Sequence, residues 1–333
     1  MSGPLAVAVV GLGIGEQHAL AYLKAGCALR WVYDVDRERT GEVLSRLGVG
    51  AAAGSFESIL DDASVDVVSI ATYDDMHADA VVQSLRRGKH VFVEKPLCRT
   101  RDELLAIRGA WRDSGRHLSA NLVLRAAPVY RWLRDAVAAG EFGDIYAFDG
   151  DYLYGRLHKI TEGWRKDVPD YSVMQGGGIH MVDLMLWVTG QRPSQVMSVG
   201  SRLATAATAF RYDDFAAATF LFDTGLVGRI TANFGCVHRH QHVLRLFGTK
   251  ATFIYDDCGP RIHRRREDGA PGEPLALSAL PATKGDLIPD FVQAIARGQA
   301  PDTAADHDLA VVSACVAADL ALARGTREGI AYT

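Results

Sequence analysis

The stretch LAVAVVGLGIG, residues 5–15, predicts how the chain begins to fold. Its first part, Leu5–Val10, is an unbroken apolar run of the kind that forms a buried parallel strand. Gly11 permits a tight turn after that strand, and Gly13 lets the backbone approach a phosphate closely. The helix predicted over Glu16–Ala25 directs its N-terminus at the same phosphate. A strand, a glycine turn and a helix in this order indicate a dinucleotide-binding fold.

The turn departs from the usual spacing Gly-x-Gly-x-x-Gly. Gly15 comes one position early, and Glu16 stands where the third glycine belongs. We therefore expect the turn to be one residue shorter, with Ile14 and Gly15 completing the phosphate cradle.

A second apolar strand, Leu29–Tyr33, ends at Asp34, 23 residues after Gly11. A carboxylate at this distance is placed to accept hydrogen bonds from ribose hydroxyls, and it repels a 2′-phosphate. The spacing therefore favours NAD as the cofactor. Because Arg37 and Arg39 follow closely, NADP stays open as an alternative.

The composition indicates a globular protein with two domains. The chain has 333 residues, of which 48% are hydrophobic and 23% charged, which is ample for two cores. A net charge of −4 gives no basic footprint for nucleic acid or an anionic membrane. No apolar run approaches about 18 residues, so we expect neither a spanning helix nor a signal peptide. Five scattered cysteines predict free thiols in a reducing cytoplasm and no metal site.

The pattern of apolar residues changes part-way along the chain. Strands and helices first alternate, which is the βαβ rhythm of a doubly wound parallel sheet. Later strands run longer and alternate in polarity, which predicts a large, open, mostly antiparallel sheet. We therefore predict an α/β chain with a Rossmann NAD(P)-binding domain over residues 1–122. A second α/β domain is predicted over residues 123–333, and the family resemblance given below assigns substrate binding and oligomerisation to it.

A second motif, VFVEKPL at residues 91–97, reads as a buried strand that ends in a charged pair and a proline. Lys95 falls at the carboxyl end of this strand, where ligands bind in such sheets. Oxidation of an alcohol carbon requires a base for the hydroxyl proton and a cation near the alkoxide. Desolvation and a cationic nicotinamide both favour the neutral amine of Lys95. We expect Glu94 to position Lys95 or contact the cofactor, and Pro96 to form a cis peptide bond.

Three glycines, Gly176–Gly178, precede His180 and Asp183 at the start of a helix predicted over Gly177–Thr189. The spacing i, i+3 puts the two side chains on one helix face. His180 is a candidate for proton transfer near neutral pH, and Asp183 for orienting substrate hydroxyls. The alternative is a core histidine whose hydrogen bonds Asp183 satisfies.

Together these motifs resemble the glucose-fructose oxidoreductase, inositol dehydrogenase and rhizopine-catabolism family, Gfo/Idh/MocA. The resemblance covers nearly the whole chain and rests on Gly11-Leu12-Gly13, Ala71-Thr72 followed by His77, Glu94-Lys95-Pro96, Asn121 to Arg125, Trp164-Arg165 and Gly176 to Asp183. It implies a nucleotide-binding domain followed by an α/β domain with an open sheet. It also implies NAD(P)-dependent oxidation or reduction of a sugar, inositol or related polyol carbon.

With this resemblance the site residues are predicted in three groups. The catalytic pair is Lys95 and His180. The predicted substrate contacts are Asp183, Asn121, Arg125, Tyr152, Trp164 and Arg165. The predicted cofactor contacts are Gly11, Gly13, Ile14, Gly15, Asp34, Arg39, Thr72, Tyr73, His77, Glu94 and Lys95.

The chain departs from the family pattern at Gly176, where many members carry an aspartate four residues before the histidine. Asp170, Tyr171 and Gln175 are candidates for the missing role, unless the lysine and the histidine suffice. In a second departure, Tyr73 replaces the first residue of the usual asparagine–proline pair and is placed to stack near the nicotinamide ribose.

Two other functions stay open beside a dehydrogenase. One is a glycosidase that keeps NAD bound and recycles it, with no net production of NADH. The other is a regulatory protein that senses a dinucleotide and has lost catalysis, which the glycine at 176 permits and an intact Lys95 and His180 disfavour.

The resemblance further implies a homodimer or homotetramer assembled through the open sheet. The strands after Ala216 carry apolar residues that we assign to the face directed away from the helices, namely Val227, Ile230 and Phe234. An exposed apolar face of this kind usually marks an interface, and closed symmetric pairing is the common solution.

Overall fold

The computed structural model describes residues 3–300 and 302–332. The strands are β1 (Ala6–Val10), β2 (Ala28–Tyr33), β3 (Ala51–Ala52), β4 (Val67–Ile70), β5 (His90–Val93), β6 (Leu118–Ala120), β7 (Ile145–Leu153), β8 (Gln195–Ser201), β9 (Phe215–Leu221), β10 (Val227–Asn233), β11 (Gln241–Gly248), β12 (Thr252–Asp256), β13 (Gly259–His263), β14 (Glu273–Pro274) and β15 (Glu328–Gly329). The α-helices are α1 (Gly15–Lys24), α2 (Arg37–Leu47), α3 (Phe56–Asp61), α4 (His77–Arg86), α5 (Arg101–Ser114), α6 (Pro128–Ala138), α7 (His158–Thr161), α8 (Ile179–Thr189), α9 (Ile288–Ala296) and α10 (Asp302–Arg324).

Six strands form a parallel sheet in the order β3-β2-β1-β4-β5-β6. This is the predicted doubly wound arrangement. The strand order reverses between β1 and β4, and their carboxyl ends run into Gly11 and Ala71. Such a switch point is where open α/β sheets bind ligands.

Helix α1 lies close to the sheet because Gly15 has no side chain. A methyl group there would lie 2.9 Å from Val9 Cγ1. The buried residues Gly15, His18, Ala19 and Tyr22 follow the i, i+3, i+4, i+7 spacing of one helix face. Gly15 thus does what the third glycine of the usual motif does, one position early.

Nine strands form the second sheet in the order β14-β13-β12-β11-β7-β10-β9-β8-β15. Neighbours pair antiparallel except β7 and β10, which run parallel. Helix α8 packs against β7 and β10 where these strands carry Gly150 and Gly228. A methyl group on Gly150 would lie 2.9 Å from Met181 Cβ, and one on Gly228 would overlap Met185 Sδ. The two glycines therefore set how closely α8 approaches the sheet.

The chain divides into two compact units that differ from the predicted division at residue 122. The first unit continues to Ala126 and also takes Pro281–Leu309, and the second holds Ala127–Leu280 and Ala310–Tyr332. The reason is α9, whose residues Ile288, Phe291 and Val292 are buried in the core of the first unit. An apolar helix so distant in sequence joins a core only through tertiary packing.

The alternation along β10 corrects part of the predicted interface. Side chains on a strand point to opposite faces in turn, so positions 227 and 230 cannot share a face. Val227 lies on the open face and is 36% exposed, whereas Ile230 and Phe234 are buried on the helix-covered face. The assignment of Ile230 and Phe234 to the open face was wrong.

Within the described residues, no helix combines the length and apolar character needed to cross a membrane.

Candidate active site

The turn after β1 requires glycine at its first position. Gly11 has a φ of 83°, in the left-handed region, and its N–H donates to the Tyr33 carbonyl oxygen at 2.8 Å. A methyl group on Gly11 would lie 2.6 Å from the Ala71 carbonyl carbon. The turn is therefore wedged between the ends of β1, β2 and β4 at the switch point.

The space above the turn is open and lined by groups that suit a phosphate. A methyl group on Gly13 would meet nothing within 4 Å. Helix α1 starts at Gly15 behind Ile14, whose side chain makes no capping hydrogen bond. Within the described residues, the buried Thr72 Oγ1 has no hydrogen-bond partner. An uncapped helix N-terminus, an open cradle and an orphaned hydroxyl fit the pyrophosphate of a dinucleotide.

Asp34 is fixed against the glycine turn. Its Oδ2 accepts from the Leu12 N–H at 2.7 Å, and its Oδ1 accepts from the Asp36 N–H at 3.0 Å. The Arg39 guanidinium approaches Asp34 Oδ2 at 3.7 Å and is half exposed. The carboxylate expected to meet the ribose thus has an arginine beside it, as the NADP alternative requires.

A buried polar cluster surrounds Glu94 at the end of β5. Its Oε1 accepts from Asn121 Nδ2 at 2.7 Å and lies 3.2 Å from His18 Nε2. His18 Nδ1 in turn lies 3.0 Å from Ser69 Oγ. Burial raises the pKa of Glu94, but the hydrogen bond and charge of His18, the charge of Lys95 and the bond from Asn121 outweigh it and lower the pKa to about 2. Glu94 is therefore ionised throughout the physiological range.

Lys95 follows directly and is half-buried. Its backbone N–H donates to Glu94 Oε2 at 3.3 Å, and the Lys95–Pro96 peptide bond is cis, as predicted. His77 Nδ1 lies 2.7 Å from the Pro96 carbonyl oxygen, and His77 Nε2 lies 3.2 Å from the Thr72 carbonyl oxygen. The buried His77 ring therefore joins the segments after β4 and β5, which holds the lysine segment in place.

Two predicted substrate contacts lie among structural partners in the first unit. Asn121 Nδ2 also donates to the Lys284 carbonyl oxygen at 2.7 Å. Arg125 Nη2 donates to Asp308 Oδ1 at 2.6 Å, and Asp308 Oδ2 accepts from the Ala120 N–H at 2.6 Å. These contacts tie the end of β6 to the returning segment, so we assign Asn121 and Arg125 to the support of the site.

In the second unit, six rings form what we call the aromatic cluster, with Tyr152 at its centre. Ring centroids lie 5.1–6.1 Å from that of Tyr152 for its five partners Tyr154, His180, Phe234, His240 and His242. The predicted residues Tyr152 and His180 are therefore neighbours. Aromatic faces with imidazole edges can pack on the C–H faces of a polyol and hydrogen-bond its hydroxyls.

The glycines at 176–178 let the aromatic cluster pack closely against the backbone that precedes α8. Met174–Gly178 forms a π-helical turn before α8. A methyl group on Gly177 would lie 2.5 Å from Tyr152 Cδ1, and one on Gly178 would lie 2.6 Å from Met174 Sδ. Single π-helical turns of this kind occur often at functional sites.

Arg165 links the segment around Trp164 to the aromatic cluster. Its guanidinium carbon lies 4.5 Å from the Trp164 ring centroid and 6.0 Å from that of Tyr154. Its Nε donates to the Tyr171 hydroxyl at 3.0 Å. The predicted pair Trp164-Arg165 is thus connected to the same part of the second unit as His180.

Two carboxylates, Asp183 and Asp319, lie in the interior of the second unit. Asp183 is fully buried, and burial together with the charges of Asp319 and Asp183 raises the pKa of the Cys315 thiol. Asp319 accepts from Ser172 Oγ and from Gln175 Nε2, both at 2.7 Å. Burial raises the pKa of Asp319 to about 6, which the two hydrogen bonds only partly offset. Since Asp183 belongs to this interior, we do not propose it as a substrate contact.

The replacement Asp319→Asn should alter how stability depends on pH. The folded-state pKa of about 6 exceeds the ordinary value of 3.8. The folded state therefore favours the protonated acid, and this contribution is full below about pH 4 and lost as the pH rises through 6. The stability of the wild type relative to the variant should fall mainly between about pH 4 and pH 6.5 in urea titrations. Equal pH dependence of both proteins would contradict the assignment.

Sequence reasoning missed His18, which supports Glu94 from α1. The signal was present, since His18 falls on the buried stripe with Gly15, Ala19 and Tyr22. A polar residue on such a stripe requires a partner. Among the described residues, no group of three His, Cys, Asp or Glu side chains is arranged to hold a metal ion.

Two protein-family models match the chain in succession. Residues 5–122 match the oxidoreductase family with an NAD-binding Rossmann fold, and residues 130–254 match the Gfo/Idh/MocA C-terminal domain. The chain belongs to the Gfo/Idh/MocA family. The prediction from the motifs is confirmed, and with it an NAD-binding fold in the first unit.

Named relatives of this Gfo/Idh/MocA chain act on carbohydrates and inositols. It is 30% identical to the 1,5-anhydro-D-fructose reductase of Ensifer adhaerens over 52% of its own length and 56% of that enzyme. The chain thus spans little more than half the length of that relative. It is 28% identical to the inositol 2-dehydrogenase of Rubrobacter xylanophilus over 94% of the chain and 90% of that protein.

A solved structure of levoglucosan dehydrogenase with NADH and levoglucosan matches the chain with a TM-score of 0.89. The identity is 22%, and the match covers 99% of this chain and 100% of the other. At this identity the likeness establishes the fold of the Gfo/Idh/MocA chain, and it confirms the predicted α/β fold class.

Proposed function

We propose that the protein is an NAD-dependent oxidoreductase that transfers a hydride between the nicotinamide and a hydroxyl-bearing or keto carbon of a sugar, inositol or sugar derivative. The observation that carries the proposal is the convergence at the carboxyl edge of one sheet. The glycine turn follows β1, Asp34 follows β2, Thr72 follows β4 and Lys95 follows β5. A dinucleotide cradle and a lysine at the same edge suit hydride transfer at a bound substrate.

The cofactor would be held by residues of the first unit. Gly11, Gly13 and the N-terminus of α1 would take the pyrophosphate, and Asp34 the adenosine ribose. Thr72 and the exposed Tyr73 would meet the cofactor from the end of β4. When bound, NAD would accept a hydride from the substrate carbon in the oxidative direction, and NADH would donate one in the reductive direction.

The proton of the substrate hydroxyl is the part that the chain itself must move. Lys95 would bind the reacting oxygen and, as a neutral amine, accept its proton. Glu94, held ionised by His18 and Asn121, would keep the lysine segment in position. His180, at the start of α8, would align the substrate and exchange the proton with water.

The test is a screen with the purified protein. Levoglucosan, myo-inositol, scyllo-inositol and L-sorbose are supplied with NAD, and 1,5-anhydro-D-fructose with NADH, while NADH absorbance is followed. Formation or consumption of NADH with at least one of these classes is expected. Tightly retained NAD with no net NADH would favour the recycled-cofactor glycosidase, and absence of any turnover would favour the regulatory protein.

The replacement Asp34→Ala should weaken NAD binding far more than NADP binding. Besides the ribose contact, the variant loses the acceptor for the Leu12 and Asp36 N–H groups. Arg39 stays to meet a 2′-phosphate, so NADP loses less. Titration of tryptophan fluorescence with each cofactor measures the change. Equal losses for both cofactors would refute the assignment of Asp34 to the ribose.

We propose further that the protein forms a homodimer or homotetramer through the open face of the nine-stranded sheet. Met197, Val199 and Val227 lie on that face and are 39%, 67% and 36% exposed. A substitution Val199→Lys there should weaken the assembly, because it places a charge in an apolar interface. Light scattering should give at least twice the monomer mass for the wild type, and a wild-type monomer would show that this face is solvated.

We also propose a cytoplasmic location. All five cysteines are free thiols in the structure, and three of them are buried. Unpaired thiols are typical of proteins in a reducing compartment.

A further inference from the structure

The space beside Gly176, where a side chain at this position would lie, is occupied by the side chain of Tyr171. A methyl group on Gly176 would overlap the Tyr171 hydroxyl and lie 2.8 Å from Tyr171 Cζ. Two side chains therefore compete for one space, and a side chain at 176 and a tyrosine at 171 exclude each other. The space lies one turn before His180 in the chain.

The other two candidates for this space are directed elsewhere. Gln175 is buried, and its Nε2 donates to Asp319 behind the π-helical turn. Asp170 is exposed and has a φ of 51°, in the left-handed region. This backbone conformation is uncommon for a residue other than glycine, and it directly precedes Tyr171.

The surroundings of the Tyr171 hydroxyl suit contact with a polar ligand. It accepts a hydrogen bond from Arg165 Nε at 3.0 Å. A phenol hydroxyl can donate one hydrogen bond as well as accept. The Tyr171 ring packs edge-on against Phe234 at 6.4 Å between centroids, and Phe234 belongs to the aromatic cluster. Tyr171 is 4% exposed and His180 is 7% exposed, so both hydroxyl and imidazole lie in a largely dry environment. Hydrogen bonds in such surroundings discriminate strongly between ligands with and without the matching hydroxyl.

We propose that the Tyr171 hydroxyl, held by Arg165, binds a hydroxyl of the polyol substrate beside His180. In this arrangement Tyr171 donates to the substrate oxygen and occupies the space that a side chain at 176 would otherwise fill. This makes Tyr171 a residue that determines substrate specificity. The inference rests on the proposed function, because it requires a polyol substrate in the second unit.

The first arm of the test compares Tyr171→Phe with Tyr332→Phe in the full-length protein. Tyr332 is the matched control, because its hydroxyl donates to the Pro193 carbonyl oxygen and belongs to neither site. With the best polyol of the screen, Tyr171→Phe should lower kcat/KM by about 10- to 100-fold, mainly through KM, and the control by less than about twofold. On monodeoxy analogues of that polyol, the loss should vanish for the analogue that lacks the contacted hydroxyl.

The second arm needs no activity. Gly176→Asp alone should lower the melting temperature by about 4 °C or more, because its side chain overlaps Tyr171. In the double variant with Tyr171→Ala the same change at 176 should cost much less. Additive effects in this cycle would show that the two positions do not share a space and would overturn the inference.

The two arms separate failure of the inference from failure of the proposed function. A wild type that turns over a polyol, with a Tyr171→Phe variant of unchanged kcat/KM, overturns the inference and leaves the function standing. A wild type that turns over none of the polyols overturns the proposed function and the substrate role of Tyr171 with it.

Discussion

Replacing Lys95 with alanine is expected to lower turnover by about two to four orders of magnitude, the range for a general acid–base group. The lysine follows β5 at the edge of the sheet where the cofactor cradle lies. NAD binding should survive, because the glycine turn and Asp34 are held by contacts that do not involve the lysine. Stopped-flow or steady-state NADH formation gives the rate, and cofactor titration gives the binding.

Lys95→Arg separates the two roles that the lysine is proposed to combine. Arginine keeps the positive charge near the reacting oxygen but does not give up a proton in proteins. If proton transfer dominates, the arginine variant should be nearly as slow as Lys95→Ala. The exposed Lys24 at the end of α1 supplies the control, and Lys24→Ala should be unchanged. Near-normal turnover of Lys95→Ala on the true substrate would refute the role.

The first unit could be predicted in detail because its signals are local. The strand ends at Gly11, Asp34 and Lys95 are each marked by an apolar run that stops at a residue with a distinct property. The sheet order then follows from the right-handed crossovers of βαβ units. The return of α9 to this unit had no local signal, since Ile288 and Phe291 find their core across most of the sequence.

The site in the second unit was harder to predict from the sequence, because it is formed by side chains from several separate elements. The sequence indicated that Gly176 lacks a carboxylate, but it did not indicate that the Tyr171 side chain occupies the space beside Gly176 while Gln175 bonds to Asp319. This packing occurs at a π-helical turn, which no periodicity in MQGGG predicts. By contrast, the error over Ile230 was avoidable, because strand alternation alone separates it from Val227.

The same substitution by alanine should lower the stability of the protein at Gly11 and its affinity for NAD at Gly13. This contrast tests the cofactor cradle. For Gly11→Ala, the left-handed φ and the overlap with the Ala71 carbonyl should together cost roughly 3 kcal/mol of stability or more. For Gly13→Ala, nothing lies within 4 Å of the new methyl group, so the free energy of unfolding should change by less than about 1 kcal/mol. The methyl group would nevertheless occupy the space proposed for the pyrophosphate, and NAD should bind at least about tenfold more weakly, which corresponds to ~1.4 kcal/mol.

Urea titration measures the free energy of unfolding, and calorimetric titration measures the affinity for NAD. Both are carried out on the two variants and on the wild type. The pair matters because a cradle and a structural turn make different demands on their glycines. Gly11 closes the turn whether or not a ligand is present, whereas Gly13 is unconstrained by the protein and only a ligand gives a reason for its missing side chain. If Gly13→Ala binds NAD as tightly as the wild type, the pyrophosphate does not lie over residues 11–15. If Gly11→Ala is as stable as the wild type, the wedge between the ends of β1 and β4 is not as tight as the structure has it.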